Sequence, residues 1–262
     1  MRWAVFIGLL GAIFFGASGC ALLRPEAVES LPSRVWKPGE LLQALAQRER
    51  QFRSLRALAR VSYSGKEGRT AFEEAIVVQR PDRLRLETLS SVGAVLVVTV
   101  DGKEIVAFHL REGLFYRGRI SKQNIFRTTR IPLELAELTS LLMGLPPAEA
   151  QRPWEERGNA IHRKLGDGGR EVAEFHPGLA VPTKWERMGA DGQVTLRAIF
   201  SDFFSTPAGS FPLKIFLEAP PQQRRLEIRY QEPELNVGLP LTLFVQEKPA
   251  SAKEIPLESL GG

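Results

Sequence analysis

From Leu55 the chain alternates with period two: Leu55, Ala57, Ala59, Val61 and Tyr63 are interleaved with Arg56, Arg60 and Ser62. Such alternation predicts a β-strand with one buried and one wet face. Ser64-Gly65-Lys66-Glu67-Gly68 reads as a turn, and Thr70 to Gln79 returns as the partner strand. Arg80-Pro81 ends that strand, because proline donates no ladder hydrogen bond and holds the preceding residue extended. From Arg83 to Glu87 the alternation resumes, with Leu84 and Leu86 on one face and Arg83, Arg85 and Glu87 on the other. Ser90-Ser91-Val92-Gly93 forms a hairpin tip feeding a strand that runs to Val100. Asp101-Gly102 is a hairpin signal, since glycine accepts the positive φ that a tight turn requires. Strands then follow at Lys103–Leu110 and Leu114–Arg119, separated by Glu112-Gly113. The first half is therefore read as a six-stranded antiparallel meander, and its spacers are too short for crossover helices that would make parallel pairs.

Two segments change period. Leu41, Leu42, Leu45, Ala46 and Phe52 recur at helical spacing within Glu40–Phe52, which predicts an amphipathic helix packed on the sheet. Arg119 to Arg130 reads as a polar, flexible connection. After it, Pro132 suits a first helical turn, and Leu135, Leu138, Leu141 and Leu142 share one face before Gly144 and Pro146-Pro147 stop the helix. This Pro132–Met143 helix has two readings, a movable lid on a leash or a fixed cap over a core. Strands resume near Ile161–Leu165, Arg170–His176, Pro182–Met188, Val194–Phe200, Leu213–Glu218 and Arg224–Tyr230, with a closing apolar stretch at Leu235–Phe244 and a polar tail beyond.

The first twenty residues add a compartment. Arg2 precedes an apolar run from Trp3 to Phe15, and Ala17-Ser18-Gly19 leads into Cys20, the only cysteine of the chain. The run is shorter than the roughly 20 apolar residues of a membrane span and reads as a secretory signal. With one cysteine, no intramolecular disulfide can form. Ala17-Ser18-Gly19-Cys20 resembles the lipobox of bacterial lipoproteins, with Ala17 in place of the usual leucine. That resemblance implies cleavage before Cys20, lipid attachment at its sulfur and, with Ala21 next in line, delivery to the outer membrane. Each buried methylene of such an anchor contributes about 0.8 kcal/mol. Ala21 to Pro38 carries three prolines and no periodicity, and reads as a tether.

Cleavage before Cys20 leaves 243 of the 262 residues, enough for one large β domain. The net charge of +5 is modest and its arginines are spread along strands, which argues for solvated faces and against nucleic acid as a partner. The three histidines, His109, His162 and His176, fall in separate strands without ligand spacing, so neither a metal nor a cofactor is expected. No nucleophile elbow, zinc-protease helix or phosphate loop is present. Glu73 and Glu74 are adjacent in a strand, point to opposite faces and cannot form a catalytic pair. An enzyme is not expected.

Taken together, RALARVSYSG, IVVQRPDRLRLE, LSSVGAVLVV, RIPLELAELTSLLMGLPP and ELNVGLPLTLF resemble the LolA/LolB superfamily of lipoprotein carriers and acceptors. The organisation is most similar to LolB-like lipoproteins. The resemblance implies an incomplete antiparallel β-barrel of about eleven strands wrapped around a few helices, with an apolar cavity for acyl chains. It also implies that Arg80 is a latch tethering the lid helices, and that Val92 is an apolar tip that touches the membrane during transfer. Each has a plainer reading: Arg80 as an exposed strand-end arginine, Val92 as a cover for the barrel rim. Period two directs Phe72, Ile76 and Val78 inward with Arg80, and Leu84 and Leu86 inward by their own alternation. With Leu135, Leu138 and Leu142 of the helix, these are the candidate cavity residues.

The expected organisation is a signal peptide at 1–19, a lipidated N-terminus and tether at 20–38, a lipid-binding domain at 39–250 and a polar tail at 251–262. The expected function is that of a lipid-anchored outer-membrane protein facing the periplasm. It would take lipoprotein acyl chains from a LolA-like periplasmic carrier and insert the lipoproteins in the membrane. Two alternatives stand beside it: a module of the same fold for another lipid or glycolipid, and a structural envelope lipoprotein with a packed core.

Overall fold

Fourteen strands pair in one unclosed sheet, in a computed structural model that describes residues 34–147 and 153–260. The signal segment, Cys20 and the tether up to residue 33 lie outside the described residues. Helix α1 (Glu40–Gln51) precedes the predicted meander: β1 (Ser54–Gly65), β2 (Gly68–Gln79), β3 (Arg83–Ser90), β4 (Gly93–Asp101), β5 (Glu104–His109) and β6 (Leu114–Arg119). Two helices follow, α2 (Lys122–Thr129) and α3 (Leu135–Leu142). The second half supplies β7 (Glu155–Arg157), β8 (Ala160–Lys164), β9 (Arg170–Phe175), β10 (Pro182–Met188), β11 (Val194–Thr206), β12 (Gly209–Ala219) and β13 (Arg224–Leu235). Last comes β14 (Lys253–Pro256). β1 pairs with both β2 and β13, so the two meanders join through the first and the penultimate strands. The fold is mainly β, an incomplete barrel wrapped around three helices, with fourteen strands rather than about eleven.

Four details depart from the sequence reading. The Arg119–Arg130 connection is helix α2, not a flexible leash: Ser121 caps it by accepting from the Asn124 amide at 3.1 Å, and Asn124 is itself buried. Helix α3 starts at Leu135 rather than Pro132, with Glu134 and Glu137 forming a reciprocal capping box. Leu235–Phe244 is not a closing strand; β13 stops at Leu235 and Leu241–Phe244 is a short 3₁₀ turn. The polar tail holds a strand, β14, which pairs parallel to β6, and its Leu257 is fully buried.

The last two departures share a cause. After β13 the chain crosses the outer face of β3 and β4 as a strap, where Arg85 donates to the Leu243 carbonyl at 2.9 Å and Phe244 is buried. Gln246 Nε2 donates to the Val97 carbonyl and to Thr99 Oγ1. A small second core of Val106, Phe115 and Ala252 lies farther along, with Phe108 packed against it. The strap thus explains why β4 is apolar on both sides: Val98 and Val100 face the main core, while Val97 and Thr99 are covered from outside. β14 also covers the exposed edge of β6, leaving three-residue β7 as the opposite edge.

Candidate functional site

The meander's register builds a graded wall. Across β1, β2, β3 and β4, Ala57 opposes Ile76, Ile76 opposes Leu86, and Leu86 opposes Val98. One row nearer the turns, Ala59 opposes Glu74, Glu74 opposes Thr88 and Thr88 opposes Leu96. Between this wall and the helices lies an apolar cavity of about 360 Å³. Phe72, Ile76, Leu86, Leu96 and Val98 line the sheet side, Val61 and Ile228 extend it, and Leu138 and Leu142 of α3 form the roof. Thr128 to Ile131, at the C-terminal end of α2 and just past it, complete the rim with Arg130 exposed.

Of the candidate cavity residues, Phe72, Ile76, Leu86, Leu138 and Leu142 line this space. Val78, Leu84 and Leu135 do not; they are buried in the solid core. Val78 and Leu84 oppose each other one row closer to the Arg80 turn, where α3 fills the space that the cavity occupies further along. Period two specifies the inward face but not where along that face packing ends and empty volume begins.

Glu74, on the same strand, is a functional candidate that the sequence motifs do not single out. It shares the inward register of Phe72 and Ile76 and is only 8% exposed. Its cross-strand neighbours are Ala59 and Thr88, and Thr88 Oγ1 donates to it at 3.2 Å. Among the described residues it has no salt-bridge partner. Burial therefore pushes its carboxyl up to about 7, against a smaller opposing effect of the Thr88 hydrogen bond. The available signal was the alternation itself, which directs a carboxylate inward between two apolar residues.

Helix α3 is fastened on several sides. Thr139 Oγ1 donates to the Pro81 carbonyl at 2.8 Å, and the Tyr230 hydroxyl donates to the Leu142 carbonyl at 2.9 Å. Gly144 follows the helix at φ 67°, and a Cβ there would meet Pro212 Cγ at 2.6 Å. A buried ionic cluster holds the remaining side. Glu171, with no exposure, accepts from Arg163 Nε at 2.9 Å and Arg187 Nε at 2.8 Å. Arg187 also binds Glu137 of α3, while Arg163 donates to the Pro147 carbonyl at 2.9 Å and stacks over Trp154.

The structure gives Arg80 a different contact from the expected latch to the lid helices. Its Nη1 donates to the Glu49 and Phe52 carbonyls, both at 3.2 Å, and so closes the C-terminal end of α1. The turn's link to α3 is made by the Pro81 carbonyl instead. Val92 is 79% exposed at the tip of the β3–β4 hairpin. A larger open groove of about 1430 Å³ lies at the other end of β1, where Glu49, Arg50, Arg53 and Arg80 share the lining with Phe204, Leu235 and Leu239. Among the described residues no three His, Cys, Asp or Glu side chains converge as a metal site, and no helix is long and apolar enough to cross a membrane.

No family model matches the sequence, and no curated protein matches it. Solved structures do. A DUF1329 family protein from Desulfovibrio piger superposes with a TM-score of 0.59 at 11% identity, over 78% of this chain and 97% of that one. A putative outer membrane lipoprotein-sorting protein domain from Vibrio parahaemolyticus gives 0.55 at 10% identity, over 78% and 95%. A LolA superfamily protein from Nitrosomonas europaea gives 0.52 at 10% identity, over 79% and 97%. At such low identity what is shared is the path of the chain. The chain has a LolA/LolB-like fold.

Proposed function

We propose that this protein is a lipid-anchored lipoprotein of the outer membrane that binds acyl chains in its cavity, receives lipoproteins from a periplasmic carrier and inserts them in the membrane. The observation that carries this reading is the space between the meander and α3, walled by Phe72, Ile76, Leu86, Leu138 and Leu142. Affinity for a chain there grows with buried apolar area, at roughly 25 cal/mol per Å², and needs few polar contacts. The likeness to a protein described as an outer membrane lipoprotein-sorting domain supports the same reading. So does Val92, a single apolar side chain held in solvent at a hairpin tip. The cavity's volume of about 360 Å³ lies near the lower end of the roughly 300–1,000 Å³ typical of ligand pockets, which favours a second reading as a module for one slender lipid.

Mass spectrometry of the domain purified from cells is expected to find a co-purifying lipid or lipopeptide. Leu138→Trp, which fills the cavity from the α3 side, is expected to remove it while the circular dichroism spectrum stays unchanged. Repeated recovery of a lipid-free wild-type domain would leave the structural-lipoprotein alternative. Transfer is tested separately by depletion, which is expected to leave other lipoproteins bound to the periplasmic carrier.

The anchor is tested at Cys20. Cys20→Ala is expected to move the protein from the membrane to the soluble fraction, since an unlipidated chain loses about 0.8 kcal/mol per acyl methylene. Tight membrane association of that variant would refute lipidation as the tether.

A further inference from the structure

The cavity contains one ionisable side chain that is itself buried, and nothing in the lipid-binding reading requires it. Glu74 could have been any apolar residue if the wall served only to exclude water. A carboxyl in this position opposes burial of its charge, and the protein supplies little to offset that cost. On its strand its same-face neighbours are Phe72 and Ile76. Across the sheet they are Ala59 and Thr88. From the roof the cavity is closed by Leu138, Leu142 and Thr128 to Ile131. Arg130 is the cation on this rim, but it is exposed and makes no salt bridge to Glu74 among the described residues. Thr88 provides a single hydroxyl donor at 3.2 Å, whereas a carboxylate offers about four acceptor sites.

We propose that Glu74 is the specificity-determining group of the cavity: it takes the hydrogen-bond donor of an amphiphile, an amine, amide or hydroxyl, whose chain lies along Phe72, Ile76, Leu138 and Leu142. This deepens the acyl-binding reading and rests on it. A donor at this point completes the acceptor capacity that Thr88 leaves open. A chain headed by an ammonium would also supply the missing counter-charge, with Glu74 ionised opposite it. A chain headed by a carboxylate is disfavoured, because two like charges would share a water-poor site. Sources such as an N-acylated lipopeptide and a free aminolipid present the same donor chemistry.

The test is displacement of diphenylhexatriene, a purely apolar fluorescent probe, from the lipid-free domain. The competitors are dodecylamine, dodecanol and dodecanoate, each kept below its micellar concentration and above the pH at which Glu74 ionises. Wild-type protein is expected to bind dodecylamine, and to a lesser extent dodecanol, at least about tenfold more tightly than dodecanoate, the scale of one charge-assisted hydrogen bond. Glu74→Gln is expected to abolish the preference for amine over alcohol and to admit dodecanoate. Thr88→Val, which leaves the carboxyl in place, is expected to keep the preference. Equal affinities for all three chains in wild type, or an unchanged ranking in Glu74→Gln, would overturn the role of Glu74 while leaving acyl binding intact. Failure of the probe and of every chain to bind would overturn both readings.

Discussion

Glu171→Ala is expected to lower the unfolding free energy by about 3–5 kcal/mol, because it strands a buried arginine without its counter-ion. Arg163 is 2% exposed in its side chain and Glu171 is fully buried, so water cannot replace the lost partner. The effect should also be directional in the structure. Glu171 links Arg163 and Arg187, and through them the Pro147 carbonyl and Glu137 of α3. Removing it should therefore loosen α3 first, seen as faster amide exchange from Leu138 to Leu142 than across β1 and β2. Glu174→Ala, which removes a half-exposed partner of Lys184, is expected to cost less than about 1 kcal/mol and serves as the control. A midpoint shift in urea no larger for Glu171→Ala than for Glu174→Ala would show that the cluster does not hold the roof.

Glu74→Gln is expected to stabilise the protein in mildly alkaline solution and to leave it nearly unchanged in acid. The folded carboxyl is pushed up to about 7 from 4.5, so folding favours its protonated form. The contribution of that form is complete below the unfolded value. As pH rises, the unfolded chain releases its proton first, and the contribution is lost progressively until the folded group has also ionised near 7. The accumulated loss is on the order of 3 kcal/mol. Glutamine keeps the shape and one acceptor but has no proton to lose, so the difference between variant and wild type should grow between about pH 5 and about pH 8. Urea denaturation of both proteins at the two pH values measures it, and other titrating groups cancel in the comparison. A difference of equal size at both values would mean that Glu74 is ionised throughout, with a solvation that its surroundings do not suggest.

The two carboxylates differ in a way that reflects their neighbours. Glu171 is surrounded by two guanidinium groups and is structural. Glu74 has one hydroxyl and an empty space beside it. Burial alone does not separate a fastening from a recognition group; the partners do. The same comparison applies to Arg80, whose two backbone acceptors belong to the end of α1 and make it part of the frame around the cavity.

The meander and its inward face can be read from the residues alone. Alternation in Leu55–Tyr63 and Arg83–Glu87, punctuated by Arg80-Pro81 and Asp101-Gly102, is a local property, because each side chain's face follows from its neighbour's. The same holds for α1, whose apolar stripe is written at helical spacing. Helix α2 was not legible, since KQNIFRTT is polar but for Ile125 and Phe126 and depends on the Ser121 cap and on Asn124 reaching Glu258 of the distant C-terminus. The strap was not legible either: LNVGLPLTLF has the composition of a strand, but the hydrogen-bonding partner that would make it one is absent, and Phe244 is buried on the outside of the sheet instead. Which inward residues face empty space depends on contacts between segments distant in the chain. Val78 and Ile76 have the same period and the same burial, yet only Ile76 lines the cavity, because α3 is fastened against the Pro81 end of the wall and leaves room above it. Where a helix stops against a sheet is set by ties far apart in the chain, and that distance is what a local pattern cannot carry.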